Sequence, residues 1–222
     1  MALNQNITGE QNAGDGVTLN ARGGRQGDTI FSELHGRFYE QVYRNRVYGA
    51  GSTLTALSAN TISLTATTTP IVGVWNPTGS GVNLVILQAS VALIANAATA
   101  TAPGGFVWAT SVNNSAITTG AAPINRKTLA AGASASKALN GGVALTGLTN
   151  NLVILEGADI AAMHTVAYAA VAATAFYNGV ASVQNFDGQI IVPPGGVIAL
   201  LNTVSTVTFS VTSRLLWEEV SV

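Results

Sequence analysis

Residues 206–219 read TVTFSVTSRLLWEE. Val207, Phe209, Val211, Leu215 and Trp217 fall on one side of an extended chain, and Thr206, Thr208, Ser210, Thr212 and Arg214 on the other. Ser213 alone interrupts the apolar side. Period-two alternation of this kind predicts a strand with one face on a core and one toward solvent or a neighbour. Just upstream, Pro193-Pro194-Gly195-Gly196 reads as a tight turn between apolar strands at 189–193 and 197–203. Working back along the chain, further strands are expected at 61–68, 70–75, 82–94, 106–112, 142–147, 152–156 and 164–178. Trp75-Asn76-Pro77-Thr78-Gly79-Ser80-Gly81 is a loop between two of them. Val82 to Ile94 is apolar at both sets of alternate positions, which predicts a central strand covered on both faces. Residues 95–105 and 118–140, rich in Ala, Thr, Ser and Gly, read as long loops with short β pieces. Many short strands with turn signals and no βα alternation predict an all-β, jelly-roll-like two-sheet sandwich.

Before Tyr48 the pattern differs. Asp28 is a suitable N-cap, and Ile30, Phe31, Leu34, Phe38 and Val42 recur at helical spacing. Arg44 and Arg46 fall in the expected last turn, where cations favour the helix dipole. One amphipathic helix is therefore expected over 28–48. Residues 1–27 are Gly-rich and poor in apolar side chains, so they read as an extended arm. The expected plan is an arm (1–27), a helix (28–48) and a β-sandwich (49–222). Phe31, Leu34, Phe38, Tyr39 and Tyr43 give the helix more apolar surface than a solvated helix carries; it packs either on the chain's own β-domain or at a seam between subunits, and for the latter they are the candidates for subunit packing.

Apolar residues make up 48% of the 222 and charged residues 9%, against roughly 25% charged in an average domain. A surface of Ser, Thr, Asn and Gly costs little to desolvate, which suits lasting contact with other protein. The formal net charge of -1 argues against nucleic acid as a partner. The chain has no cysteine, so disulfides and thiolate metal sites are excluded. Met1 to Glu10 has no signal-peptide pattern, and Val82 to Ile94 is too short to span a bilayer, so no membrane partner is expected. Ten of the nineteen charges fall between Glu10 and Arg46, whereas 47–125 holds none. Arg22, Arg25, Arg44 and Arg46 from that charged stretch are the candidates for contact with an acidic protein partner.

Chemistry at neutral pH needs a tuned acid, base, nucleophile or metal. His35 and His164 have no second ligand at metal-site spacing. Glu156 and Asp159 flank Gly157 and read as a solvated turn. Glu218 and Glu219 are adjacent on a strand, face opposite sides and read as a charged edge. Neither phosphate-loop pattern nor a GxSxG elbow occurs. No catalytic, cofactor-binding or metal-binding residue is assigned, no cofactor is expected, and the chain reads as a non-enzyme. With few titratable groups, stability is expected to change weakly between about pH 5 and 9.

Four segments together carry a family resemblance: SELHGRFYEQVYRNRVY (32–48), VWNPTGSGVNLVILQASVAL (74–93), QIIVPPGGVIALL (189–201) and SRLLWEEVSV (213–222). In style the pattern resembles the jelly-roll virion proteins of tailed bacteriophages, of the capsid cement or decoration type. The resemblance implies a homotrimer on the capsid surface that binds the major capsid protein, stabilises the shell and tethers neighbours through its N-terminal arm. It implies no catalytic residue. Phage fibre, spike and tail receptor-binding modules share this polar-β composition and are the alternative. Trp108, Asn113 and Asn114 are the loop-tip candidates for a ligand under that alternative.

Overall fold

A computed structural model describes residues 36–52, 57–58, 69–96, 106–115, 117, 120–140, 145–157, 181–202 and 208–222. The chain divides into two units, residues 1–40 and 41–222. Of the first, Gly36–Glu40 are described. They form a turn closed by Tyr39 N–H donating to the Gly36 carbonyl at 2.9 Å, with the Arg37 guanidinium 5.5 Å from the Phe38 ring centroid.

The second unit is built from strands. In chain order they are β1 (Val47–Gly51), β2 (Leu57–Ser58), β3 (Val72–Trp75), β4 (Val82–Asn96), β5 (Phe106–Ser111) and β6 (Ile124–Asn125). There follow β7 (Lys137–Asn140), β8 (Val153–Gly157), β9 (Ala181–Val192), β10 (Val197–Asn202) and β11 (Thr208–Ser221). One sheet has the order β6-β1-β11-β4-β9, with β2 also pairing β11, and the other has the order β7-β3-β10-β5-β8. Every pairing is antiparallel.

Eight of these strands form nested pairs. Outermost is β1 with β11, then β3 with β10, β4 with β9, and innermost β5 with β8. Rolling one long nested hairpin distributes alternate pairs between two facing sheets, which is the topology of a jelly roll. The all-β sandwich expected from the pattern is the observed fold. Strands β6 and β7 come from the connection between β5 and β8. They flank β1 and β3, so that one insertion closes this side of both sheets.

Between the sheets lies an apolar core with Trp108, Trp217, Leu84, Ile86, Ile198 and Leu200 fully buried. A second apolar cluster lies on the far side of the β3–β10–β5 sheet. Trp75, Ala109, Val197, Ala199 and Leu201 pack there against Ile117, Leu145 and Leu152 from the connections. Strand β10 is consequently buried on both faces. That corrects the expectation for Val82 to Ile94. In β4, Leu84 and Ile86 face the core, then Ala89 and Val91, while Val85, Gln88 and Ser90 are half-buried on the other face. The register steps from Trp217↔Ile86 to Leu216↔Gln88, leaving Leu87 as the extra residue of a β-bulge. A bulge shifts the alternation by one, and a shifted alternation read without its bulge looks apolar on both faces.

Residues 211–217 follow the sequence reading closely. Val211, Leu215 and Trp217 are fully buried, and Ser213 sits among them. The Ser213 N–H donates to Ser52 Oγ at 2.9 Å, and Ser52 Oγ donates to the Val211 carbonyl at 3.1 Å. β11 is an interior strand between β1 and β4, so Glu218 and Glu219 do not guard a sheet edge.

The expected helix is described from Gly36 onward, and within that range the α-helix is α1, Tyr39–Tyr43. Asn45 stops it in the left-handed conformation at φ 62°. Its N–H donates to the Val42 carbonyl and that of Arg46 to the Gln41 carbonyl, the paired closure of a Schellman cap. Val47 and Tyr48 are strand, not helix, because β1 pairs there with β11. Of the strand expected at 142–147, residues 142–144 lie outside the described residues and 145–147 carry no strand, while Lys137–Asn140 forms β7. β9 starts at Ala181, well before the expected 189, and a break at Asp187 and Gly188 (φ 53° and 84°) hides its alternation. The strands expected at 61–68 and 164–178, and residues 1–35 of the arm and helix, lie outside the described residues.

Candidate interaction surface

Two asparagines organise one end of the sandwich. Asn76 is fully buried, and its Nδ2 donates to the Val82 carbonyl at 2.7 Å and the Val192 carbonyl at 3.0 Å. Asn114, also fully buried, donates through Nδ2 to Ser111 Oγ at 3.1 Å and the Gly195 carbonyl at 3.3 Å. Its Oδ1 accepts the N–H groups of Thr149 at 2.9 Å and Asn150 at 3.3 Å. These contacts join the Pro193–Gly196 turn, the loop after β5 and the loop before β8. Trp108 is likewise fully buried, with Nε1 donating to Gln184 Oε1 at 2.9 Å. Of the three loop-tip candidates for a ligand, Asn113 alone is exposed. Trp108 and Asn114 serve the interior instead, since each spends its polar group on the protein itself.

A second cluster lies at the β6–β1 side. Asn125 is buried; its Nδ2 donates to the Asn45 carbonyl at 3.0 Å. Its Oδ1 accepts the N–H groups of Lys127 at 3.0 Å and Thr128 at 3.1 Å. An Asx turn is thereby tied to the end of α1. Lys127 Nζ donates to the Tyr43 carbonyl at 2.8 Å and lies 4.3 Å from the Tyr43 ring centroid. A cation over an aromatic face at this range is an attractive contact. Next along, the Arg126 guanidinium lies over Gly49, where a Cβ would come 3.1 Å from Nε and 2.9 Å from Leu216 Cδ2. Glycine at 49 is therefore what lets Arg126 lie flat on β1. Arg214, on β11, donates to Gln88 Oε1 and has its Nε buried without a partner. Burial, and secondarily the Arg214 charge, push the Arg126 guanidinium below its usual pKa.

The carboxylates here are structural. Glu219 Oε1 accepts from Ser134 Oγ and, at 3.0 Å, from Ser136 Oγ, which fixes the connection between β6 and β7 on β11. Tyr48 Oη donates to the Ala133 carbonyl at 3.0 Å on the same connection. Burial raises the Glu218 carboxyl above its usual value, and the nearby Arg46 charge opposes the rise. A carboxyl with a raised folded pKa contributes stability that is complete below its unfolded pKa and is lost as pH rises through the folded pKa. Glu218→Gln removes that loss. The variant is expected to unfold at higher temperature than the parent at about pH 8 and at the same temperature near pH 4. Thermal melts at the two pH values check this; a variant less stable at pH 8 contradicts it.

The sequence candidates fall as follows. Tyr43, Arg44 and Arg46 are exposed and belong to the second unit, where Lys127 meets Tyr43 and Arg46 lies near Glu218. Tyr39 is exposed and Phe38 half-buried in the first unit. Phe31, Leu34, Arg22 and Arg25 lie outside the described residues. Sequence reasoning missed Arg126, Lys127 and Arg214, which join the cluster only through strand pairing. The one linear signal was the Asn125-Arg126-Lys127 run that ends the uncharged stretch. Among the described residues no three His, Asp or Glu side chains come together as a metal site, and no helix is long and apolar enough to cross a membrane.

No family model, curated protein or solved structure matches the chain.

Proposed function

We propose that this chain is a non-catalytic structural protein of a virus particle, a capsid cement or decoration protein that binds and stabilises a phage shell as a homotrimer. The observation that carries the reading is the nested strand order. It makes the domain a jelly roll, an architecture that recurs in viral capsid proteins as well as in lectins and cupins. Fold alone does not assign function. Three further features favour the structural use. The space between the sheets is filled by large apolar side chains, the surface is charge-poor, and the cationic cluster at the β6–β1 side offers contact to an acidic protein. On this reading the major capsid protein is the partner, the protein sits on the capsid surface, and buried apolar area at the contacts braces the shell. The fibre, spike or tail receptor-binding alternative loses support, because two of its three candidate ligand residues are interior.

The arm gives a direct test. Twenty-seven extended residues reach at most about 90 Å, far beyond a domain of this size. Deleting residues 1–27 is expected to leave the thermal melt of the sandwich unchanged and to abolish stable co-sedimentation with purified shells. Undiminished shell occupancy by the truncated chain contradicts the tether.

A further inference from the structure

The sandwich has two lateral sides of opposite chemistry. On one, β8 and β9 end their sheets, and among the described residues each pairs with a neighbour on one flank only. Val153, Ile154 and Leu155 are consecutive on β8 and exposed to 63%, 46% and 46%, and β9 adds exposed Val183 and Ile191. Edge strands are normally blunted by shortness, charge, Pro or a bulge; β8 is five residues long, carries Glu156 and is bulged at Leu155, yet keeps three exposed apolar side chains. The exposed charges on these two strands are acidic, Glu156 and Asp187. On the opposite side, β6 and β1 bring exposed Tyr43, Ile124 and Leu129, the last 73% exposed, together with Arg46, Arg126 and Lys127. Eight of the eleven exposed large apolar residues described lie on these two sides.

Neither side complements itself. Two β6–β1 sides face to face would oppose Arg46, Arg126 and Lys127 to their own copies, with Glu218 and Glu219 offsetting only part of that charge, and two β8–β9 sides would oppose like carboxylates. Each side does complement the other, in charge and in apolar surface. We propose that copies of this chain associate head to tail, with the β6–β1 side of one copy seated against the β8–β9 edge of the next. This rests on the reading that the chain assembles with itself. A contact between unlike surfaces closes into a ring when its rotation permits and then leaves neither edge exposed. A two-fold dimer built on one edge would leave the other uncovered.

The test pairs two variants, one per side: Lys127→Glu with Leu129→Glu, and Val153→Glu with Leu155→Glu. All four positions are exposed, so each variant is expected to fold. By native mass spectrometry the parent chain is expected as a closed multi-chain species and each variant as a single chain. Equimolar mixing of the two variants restores one intact junction, so a two-chain species and nothing larger is expected. Variants that keep the parent mass, or that stay single on mixing, overturn the head-to-tail contact while leaving self-assembly standing. A parent that is itself a single chain overturns both. The absence of native cysteine allows a second measurement that does not depend on these variants folding. With a bifunctional maleimide, Leu129→Cys and Ile154→Cys chains are each expected to remain unlinked alone and to cross-link when mixed. Self-linking of either chain alone to the same extent as the mixture contradicts the proposal.

Discussion

Trp108→Ala is expected to lower the unfolding free energy by about 3–5 kcal/mol, the usual cost of emptying a large aromatic site in a core. Trp108 is fully buried on β5 between the sheets. Its ring meets Phe186 of β9 edge-on, with centroids 5.4 Å apart and planes at 80°. The substitution removes that contact, leaves a cavity that two facing sheets cannot readily close, and strips Gln184 Oε1 of its indole donor. A domain of ordinary stability holds about 5–15 kcal/mol in reserve, so the loss is a large fraction of the whole. Trp108→Phe separates the two contributions. It keeps aromatic bulk and loses the N–H, and its expected cost is about 1–2 kcal/mol. Urea titration with an unchanged slope measures both. A loss below about 0.5 kcal/mol for Trp108→Ala would match an exposed residue and contradict the buried placement. The same experiment bears on function, since a tryptophan presented to a ligand contributes little to folding.

Asn114→Ala is expected to cost about 1–3 kcal/mol. One side chain satisfies two donors, Thr149 N–H and Asn150 N–H, and donates to Ser111 Oγ and the Gly195 carbonyl. The Gly195 carbonyl keeps the Asn114 N–H at 2.9 Å and Ser111 Oγ keeps the Asn150 carbonyl at 3.0 Å, so the cost falls on the two amide donors, at about 1–3 kcal/mol for a group left without a partner. Water entering the vacated space would offset part of the sum. The effect is expected to centre on the loops: amide exchange should quicken at Thr149 and Asn150 before it quickens in β10. Asn113→Ala, one residue away and exposed, serves as the control. Its φ of 60° makes alanine mildly unfavourable, by about 1 kcal/mol. Equal losses for the two variants would contradict the hub assigned to Asn114.

How far the sequence disclosed this structure depends on whether the deciding interaction was local. The alternation of Val211, Leu215 and Trp217 is a local property of β11, and the face it defines is the face that is buried. The turn at Pro193–Gly196 was equally legible, because Pro and Gly restrict the backbone whatever surrounds them. The nested pairing of β1 with β11 joins residues more than a hundred positions apart, and no short pattern encodes that. Bulges at Leu87 and around Asp187 obscured β4 and β9, since a shift of phase is invisible until the partner strand is known. The end of α1 was overrun for a different reason. The helix expected over 28–48 runs through Asn45, although asparagine tolerates the left-handed conformation that closes a helix. As for the interaction surface, Tyr43, Arg44 and Arg46 were visible as a cluster in sequence. Arg126 and Arg214 were not, because the sheet rather than the chain makes them neighbours.

The central claim, a jelly-roll building block that assembles with itself, is tested most directly by light scattering on the purified chain, intact and without residues 1–40. That cut lies before β1 and spares its pairing with β11. The expected result is the mass of three chains for both forms, which places self-association in the sandwich and leaves the N-terminal region for the shell. A single-chain mass for both forms would contradict the account.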